Sequence, residues 1–332
     1  MQKYRKISLV LIIVLLVASL SACKTAKRPW DKEPPKKVQK DTKKPPIPES
    51  ISQGERKEPK LKVYLTDSGR VDEMKFEDYV VGVLAGEMSN DFPAEALAAQ
   101  AILARTFVME FITDKGNSKY DGAHISTDIE EAQAWDAKEV NDKIVDAVAN
   151  TRGQVALCDG QYIKAWFHAH AGGQTATAKE GLGYEKAEPP YIKVVESPDS
   201  SNAPSKDANW TAIFNKEEIR KAAQELGKDC KDFDNIEVLD KGPSGRVTKL
   251  KIGDQTVEAP AFRVALDSTE MKSTMLESIT VEGDKVTMKG KGYGHGVGMS
   301  QWGANQMAKE GKKAEDIIKH YFNDIEIVKL WD

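Results

Sequence analysis

Eight polar side chains of this 332-residue chain stand where they could do chemistry: Glu87, Arg105, His168, His170, Tyr293, His295, Ser300 and Gln301. Glu87 follows the apolar run Val80-Val-Gly-Val-Leu-Ala-Gly86. Apolar surroundings keep a carboxyl group protonated toward neutral pH, which suits it to give a proton to a leaving group. Tyr293, His295, Ser300 and Gln301 fall in Lys291-Gly-Tyr-Gly-His-Gly-Val-Gly-Met-Ser-Gln-Trp-Gly-Ala304, fourteen residues with five glycines. Ordering such a run costs much backbone entropy, so it marks a surface where backbone approaches a ligand closely. At strand spacing His168 and His170 share a face, where they can bind a metal together or line a pocket.

Three chemistries can use these groups. A serine hydrolase requires a Gly-x-Ser-x-Gly elbow, and Met299-Ser300-Gln301 is not one. A zinc hydrolase could use His168, His170 and His295 with Glu87 as base, but the chain has no His-Glu-x-x-His. A glycan-cleaving enzyme needs a carboxyl held protonated, and Glu87 supplies one.

Mixed elements must position these groups. Leu61 to Leu65 reads as an opening strand, and the cap formers of Ser89-Asn-Asp-Phe-Pro93 start a helix over residues 93–112. On that helix Leu97, Ala98, Ala101, Ile102, Ala104, Val108 and Ile112 share an arc with Arg105 at its middle. A buried guanidinium needs either a carboxylate, for which Glu87 is a candidate, or several backbone carbonyls. Further on, the pattern predicts a helix over 138–150, a hairpin over 154–167 turning at Asp159-Gly160, and a short strand over 191–195. An amphipathic helix within 210–226, hairpins turning at Gly253-Asp254 and Gly283-Asp284, helices over 299–309 and 313–321, and a strand over 325–328 complete it. The expected fold is α+β, with mixed helices and antiparallel hairpins in one large domain at residues 61–332.

The first 23 residues read as an export signal: Lys3, Arg5 and Lys6, an apolar run too short for a comfortable membrane span, then Leu20-Ser-Ala-Cys23. That ending resembles a bacterial lipoprotein processing site, with Cys23 as the lipidated residue. It implies an extracytoplasmic domain anchored at the outer face of the cytoplasmic membrane. Residues 24–60 hold seven of the fourteen prolines and twelve basic against six acidic residues, the composition of a disordered tether. With the +3 of the signal and the +6 of the tether removed from the whole-chain −4, residues 61–332 carry −13, which excludes nucleic acid as a natural partner. Cys158 and Cys230 are the only other cysteines, and with no Cys-x-x-Cys or dense His/Cys ladder they make neither a zinc ribbon nor a disulfide scaffold, while a single bond between the two in an oxidising compartment stays open.

Four motifs carry a resemblance. Tyr79-Val-Val-Gly-Val-Leu-Ala-Gly-Glu-Met88, Glu95-Ala-Leu-Ala-Ala-Gln-Ala-Ile-Leu-Ala-Arg-Thr-Phe107, Trp166-Phe-His-Ala-His-Ala-Gly-Gly-Gln-Thr175 and residues 292–304 resemble, in order, the stage II sporulation protein D family, whose domain is also found in amidase-enhancer proteins. The resemblance implies lytic transglycosylase activity on peptidoglycan glycan strands, particularly strands stripped of stem peptides. It places the catalytic glutamate at Glu87, with Arg105, His168, Tyr293, His295, Ser300 and Gln301 lining the groove. Some family members hold zinc near this site through cysteines, a cluster this sequence lacks, so no cofactor is expected. A glycan-binding module that recruits a cell-wall amidase is the alternative. The lipobox-like Cys23 departs from the membrane anchor usual in sporulation members.

Overall fold

The computed structural model describes residues 44–332. The signal, Cys23 and the first part of the tether lie outside the described residues. Residues 44–60 already belong to the fold, which corrects the tether boundary expected at residue 60. Ile51 is buried in the core, Lys44 Nζ donates to the Lys329 carbonyl at 2.9 Å, and Glu58 pairs with Arg152. The prolines and charges of this segment hid one well-placed apolar residue.

The chain runs through β1 (Lys60–Leu65), β2 (Arg70–Lys75), α1 (Phe76–Glu87), α2 (Ala94–Lys115), β3 (Ile125–Ser126), α3 (Asp142–Asn150), β4 (Gln154–Cys158), β5 (Gln161–Tyr162), β6 (Phe167–His168) and α4 (Ala178–Leu182). It continues through α5 (Ser205–Ala208), β7 (Asn209–Asn215), α6 (Lys216–Glu225), β8 (Ile236–Lys241), β9 (Val247–Ile252), β10 (Gln255–Glu258), α7 (Ala259–Asp267), β11 (Leu276–Glu282) and β12 (Lys285–Lys291). Last come β13 (Met299–Ser300), α8 (Gln301–Lys309), α9 (Ala314–Tyr321) and β14 (Glu326–Lys329). Small sheets of two or three strands, mostly antiparallel, combine with these helices, so the fold is α+β as the sequence predicts.

Side chains gather in two cores. The first surrounds α2, whose Ala96, Ala99, Ala101 and Ala104 are fully buried and let α1, α3, α8, α9 and β4 approach closely. By length and composition α2 could cross a membrane, but 83% of its most apolar window is buried within the protein, as a core helix requires. The second core lies within residues 209–291. Strand β7 alternates exposed and buried residues, and Trp210, Phe214, Ile219, Leu250, Phe262 and Met288 meet between its two three-stranded sheets and α6 and α7. Helix α6 starts on a reciprocal cap between Asn215 and Glu218, which satisfies two end groups at once.

The hairpin turns fall where expected, with Asp159 and Gly160 both at positive φ, the conformation a type I′ turn requires. Residues 191–195 form no strand, only a bridge between Ile192 and Phe322. Helix α1 is longer-range in origin: its apolar run reads equally as strand, and packing against α2 and α3 decides it. Cys158 and Cys230 are both buried and free.

Candidate active site

Helix α1 carries a glutamate near each end. At its C-terminus, Gly82 and Gly86 stand one turn apart and face the loop at residues 134–136. A Cβ on Gly86 would lie 2.7 Å from the Trp135 amide nitrogen, so only glycine lets that loop press against the helix. The loop is fixed there by Asp136 N–H donating to the Gly82 carbonyl at 3.0 Å. In consequence the Ala134 N–H reaches Glu87 Oε1 at 2.7 Å. Gln301, the first residue of α8, donates from Nε2 to the Glu87 carbonyl at 3.0 Å and holds the backbone from the other side.

Among the described residues no cation pairs with the Glu87 carboxyl. Burial pushes its pKa up to about 7 from an ordinary 4.5, and the single Ala134 N–H bond only partly offsets this. The carboxyl borders a cavity of about 280 Å³ lined by Ala85, Gly86, Met88, Ser89, Asn90 and the exposed Glu139. A half-buried acid, protonated near neutrality and open to a cavity, is equipped for proton donation.

The other expected groove residues separate into three sets. Gln301 does meet Glu87. Arg105 does not: it is fully buried and forks onto Glu77, with Nε 3.1 Å from Oε1 and Nη2 2.7 Å from Oε2, while Nη1 donates to the Ala101 and Gln154 carbonyls. Glu77 also accepts from Gly153 N–H at 3.0 Å and Trp331 Nε1 at 2.8 Å. Arg105 does find a carboxylate, but Glu77 on the first turn of α1 supplies it in place of the expected Glu87. Ser300 is likewise fully buried. It caps α8 by accepting from Gly303 N–H at 3.2 Å and donates to Asp199 Oδ1 at 2.6 Å.

His168, His170, Tyr293 and His295 form the third set, a knot between the glycine-rich stretch and residues 167–176. His168 and His295 rings stand 5.7 Å apart, His170 and Tyr293 exchange backbone hydrogen bonds, and Lys272 sits over the Tyr293 ring at 4.7 Å. His170 Nδ1 accepts from Gly172 N–H and lies 3.3 Å from Asp199. The glycines here let other parts of the chain approach closely. A Cβ on Gly294, at φ 106°, would lie 2.7 Å from His168 Cβ, and one on Gly296 would strike the buried Arg246 guanidinium. Arg246 carries no signal in the residue pattern; it donates to the Ala171 and Gln174 carbonyls at 2.6 and 2.8 Å.

This knot does not suit zinc. Neutral imidazoles are the form that could bind a metal ion, but the His295 pKa is lowered by burial and then by the Arg263 and Arg246 guanidinium groups, which stand close to it. A cation entering would meet two guanidinium groups, and among the described residues no three His, Cys, Asp or Glu side chains converge as ligands.

A carboxylic acid on a helix end, held beside a cavity in an α+β domain, defines a class of proton-donating sites, and comparison with known proteins narrows it. The family profile described as "Stage II sporulation protein" matches residues 64–157, which contain both Glu77 and Glu87, and a domain of unknown function matches residues 185–298. The chain is 32% identical to Stage II sporulation protein D of Bacillus subtilis (strain 168), over 80% of this chain and 78% of that protein. It is 34% identical to an uncharacterized protein of Brachyspira hyodysenteriae, over 78% of this chain and 68% of that one. Similarity at 27% identity also links it to a protein named amidase enhancer of Bacillus subtilis, over 73% of this chain and 39% of that protein. The chain belongs to the stage II sporulation protein D family.

Proposed function

We propose that this protein is a lytic transglycosylase acting on the bond between N-acetylmuramic acid and N-acetylglucosamine in peptidoglycan, preferring strands stripped of stem peptides. The observation that carries the reading is Glu87, a cavity-lining carboxyl whose burial raises its pKa to about 7 and which no cation neutralises. Protonated Glu87 gives its proton to the glycosidic oxygen as the bond from that oxygen to the muramyl anomeric carbon breaks. The carboxylate then takes the proton of the sugar's own 6-hydroxyl, whose oxygen closes on the anomeric carbon. The product is a 1,6-anhydro sugar, and Glu87 ends protonated as it began. No water enters, so the second carboxylate of ordinary glycosidases has no task. Glu139 stands on the rim, exposed, and is left as a spectator.

Digestion of peptide-stripped strands followed by mass spectrometry tests this. Anhydromuramic ends that vanish with Glu87→Gln support the enzyme, whereas reducing ends or uncut strands reject it. Similarity to a protein named amidase enhancer supports a second reading, a non-catalytic glycan-binding module that recruits a cell-wall amidase. Intact strands that bind and raise the activity of an added amidase would select it. In either case we place the domain outside the cytoplasmic membrane on a lipidated Cys23, and Cys23→Ala should abolish labelling by a radioactive fatty acid.

A further inference from the structure

Glu87 is held at two points, the Ala134 N–H on its carboxyl and the Gln301 side chain on its carbonyl, and the second point leads outward into the protein. The last carbonyls of a helix have no partner inside it, so Gln301 fixes the end of α1 only as firmly as Gln301 is itself fixed. Gln301 is the first residue of α8, and Ser300 sets the start of that helix by accepting from Gly303 N–H. The Ser300 hydroxyl has a single proton, and it goes to Asp199 Oδ1 at 2.6 Å, since the Ala169 carbonyl at 3.4 Å is the poorer acceptor. The same turn is clipped on both sides, with Ser200 N–H donating to the Trp302 carbonyl at 3.1 Å and Trp302 N–H to the Ala169 carbonyl at 3.0 Å.

The Asp199 side chain is 5% exposed, and among the described residues no lysine or arginine forms an ion pair with it. Small donors hold it instead: Ser197 Oγ meets Oδ1 at 2.9 Å and Gly173 N–H meets Oδ2 at 3.2 Å. Because the one Ser197 proton points at Asp199, the Tyr321 hydroxyl 2.9 Å away must be the donor to Ser197. A Cβ on Gly303 would strike both of those hydroxyls, so they are pressed against the first turn of α8. His170 Nδ1 lies 3.3 Å from Oδ2 but accepts from Gly172 N–H at 3.0 Å, and has no proton to offer there. We propose that Asp199 is a positioning residue for the proton donor: through Ser300 it fixes the first turn of α8, and through Gln301 that turn fixes the end of α1 where Glu87 stands. Asp199 lies in the segment matched by the domain of unknown function, which thereby gains a task in the site. The proposal rests on the reading of Glu87 as the acid and deepens it.

Cleavage of peptide-stripped strands by the full chain is measured for Asp199→Ala and Asp199→Asn, each alone and combined with Gln301→Ala. Asp199→Ala should lower kcat about tenfold, the worth of one hydrogen bond, and leave KM unchanged. In the Gln301→Ala background it should add no further loss, because both changes break the same chain of contacts. Asparagine keeps an oxygen for Ser300, so Asp199→Asn should restore most of the rate. A second readout needs no glycan: in protein made with isotopically labelled alanine, the Ala134 amide proton reports ionisation of the Glu87 carboxyl to which it donates. Its pH-dependent shift should shrink in Asp199→Ala by the same fraction as in Gln301→Ala and return in Asp199→Asn. If Asp199→Ala does not fold, Ser300→Ala removes the bond from the α8 side and is read in its place with the same expectations. Losses that multiply in the double variant, a raised KM at unchanged kcat, or an Ala134 amide indifferent to Asp199 would overturn the proposal. The two readings fail separately. An Ala134 amide that follows Asp199 in a protein that cuts no strand leaves the positioning of Glu87 and removes the transglycosylase, and cleavage with an indifferent amide does the reverse.

Discussion

Glu77 and Glu87 lie ten residues apart on one helix, the first buried and the second half-buried, and their surroundings differ in the donors they offer. Glu77 receives Arg105 as a fork, the Gly153 amide and the Trp331 indole, so both of its oxygens are occupied by donors. Glu87 receives one amide, from Ala134, and otherwise faces a cavity. A carboxylate saturated by donors serves as a clamp between α1, α2, β4 and Trp331. A carboxyl with one donor and little water retains its proton and can release it. Burial alone therefore does not make a catalytic acid; burial with too few donors does.

The sharpest way to break this contrast is to remove the proton from one site and the charge from the other. Glu87→Gln should reduce strand cleavage by roughly 10²–10⁴ in rate, with unfolding transitions no lower than those of the unmutated protein. Arg105→Ala should do the opposite. It leaves Glu77 buried without its cation, which costs on the order of 3–5 kcal/mol in denaturant unfolding while the activity per folded molecule is retained.

Acidity offers a subtler test. Since the folded pKa of Glu87 is raised from 4.5 to about 7, its ionisation opposes the fold, and stability contributed by the protonated form is lost as pH climbs from about 4.5 through 7. Cleavage should decline above about pH 7 for the same reason. Glu87→Gln should melt higher than the unmutated protein at pH 8, with the difference vanishing near pH 4; a constant difference would contradict a raised pKa. Gln301→Ala frees the Glu87 carbonyl without touching its carboxyl, and should lower the cleavage rate roughly tenfold, about the worth of one hydrogen bond. Glu139→Gln should change the rate least, within about twofold, and a large loss would make it a second working carboxylate.

Several parts of this arrangement can be read from residues alone. The apolar run before Glu87 announces a carboxyl in poor solvent, Pro93 rather than the polar residues before it marks the start of α2, where no side chain caps the helix, and Asp159-Gly160 announces a hairpin. The misplacements have physical causes. Arg105 in an apolar arc requires an acid, but a one-dimensional pattern cannot say which of the three acids on the preceding helix lies opposite, and Glu77 wins because α1 packs against α2 with Trp331 beside them. The glycine run looks like a ligand surface because close approach is all that glycine spacing encodes. Here the approaching groups are His168, Arg246 and the backbone of Trp166.

What the sequence determined by itself is the local chemistry: the α+β alternation of helices and hairpins, the apolar setting of the Glu87 carboxyl, and the family to which the motifs belong. Only the tertiary structure decided the division of labour. It placed Arg105 and Ser300 in the frame and assembled a second core from residues 209–291. Spacing fixes which residues share a face, because helix and strand periods are geometric constants. Which face meets which depends on packing between segments far apart in the chain, and that is where a buried glutamate becomes either a clamp or an acid.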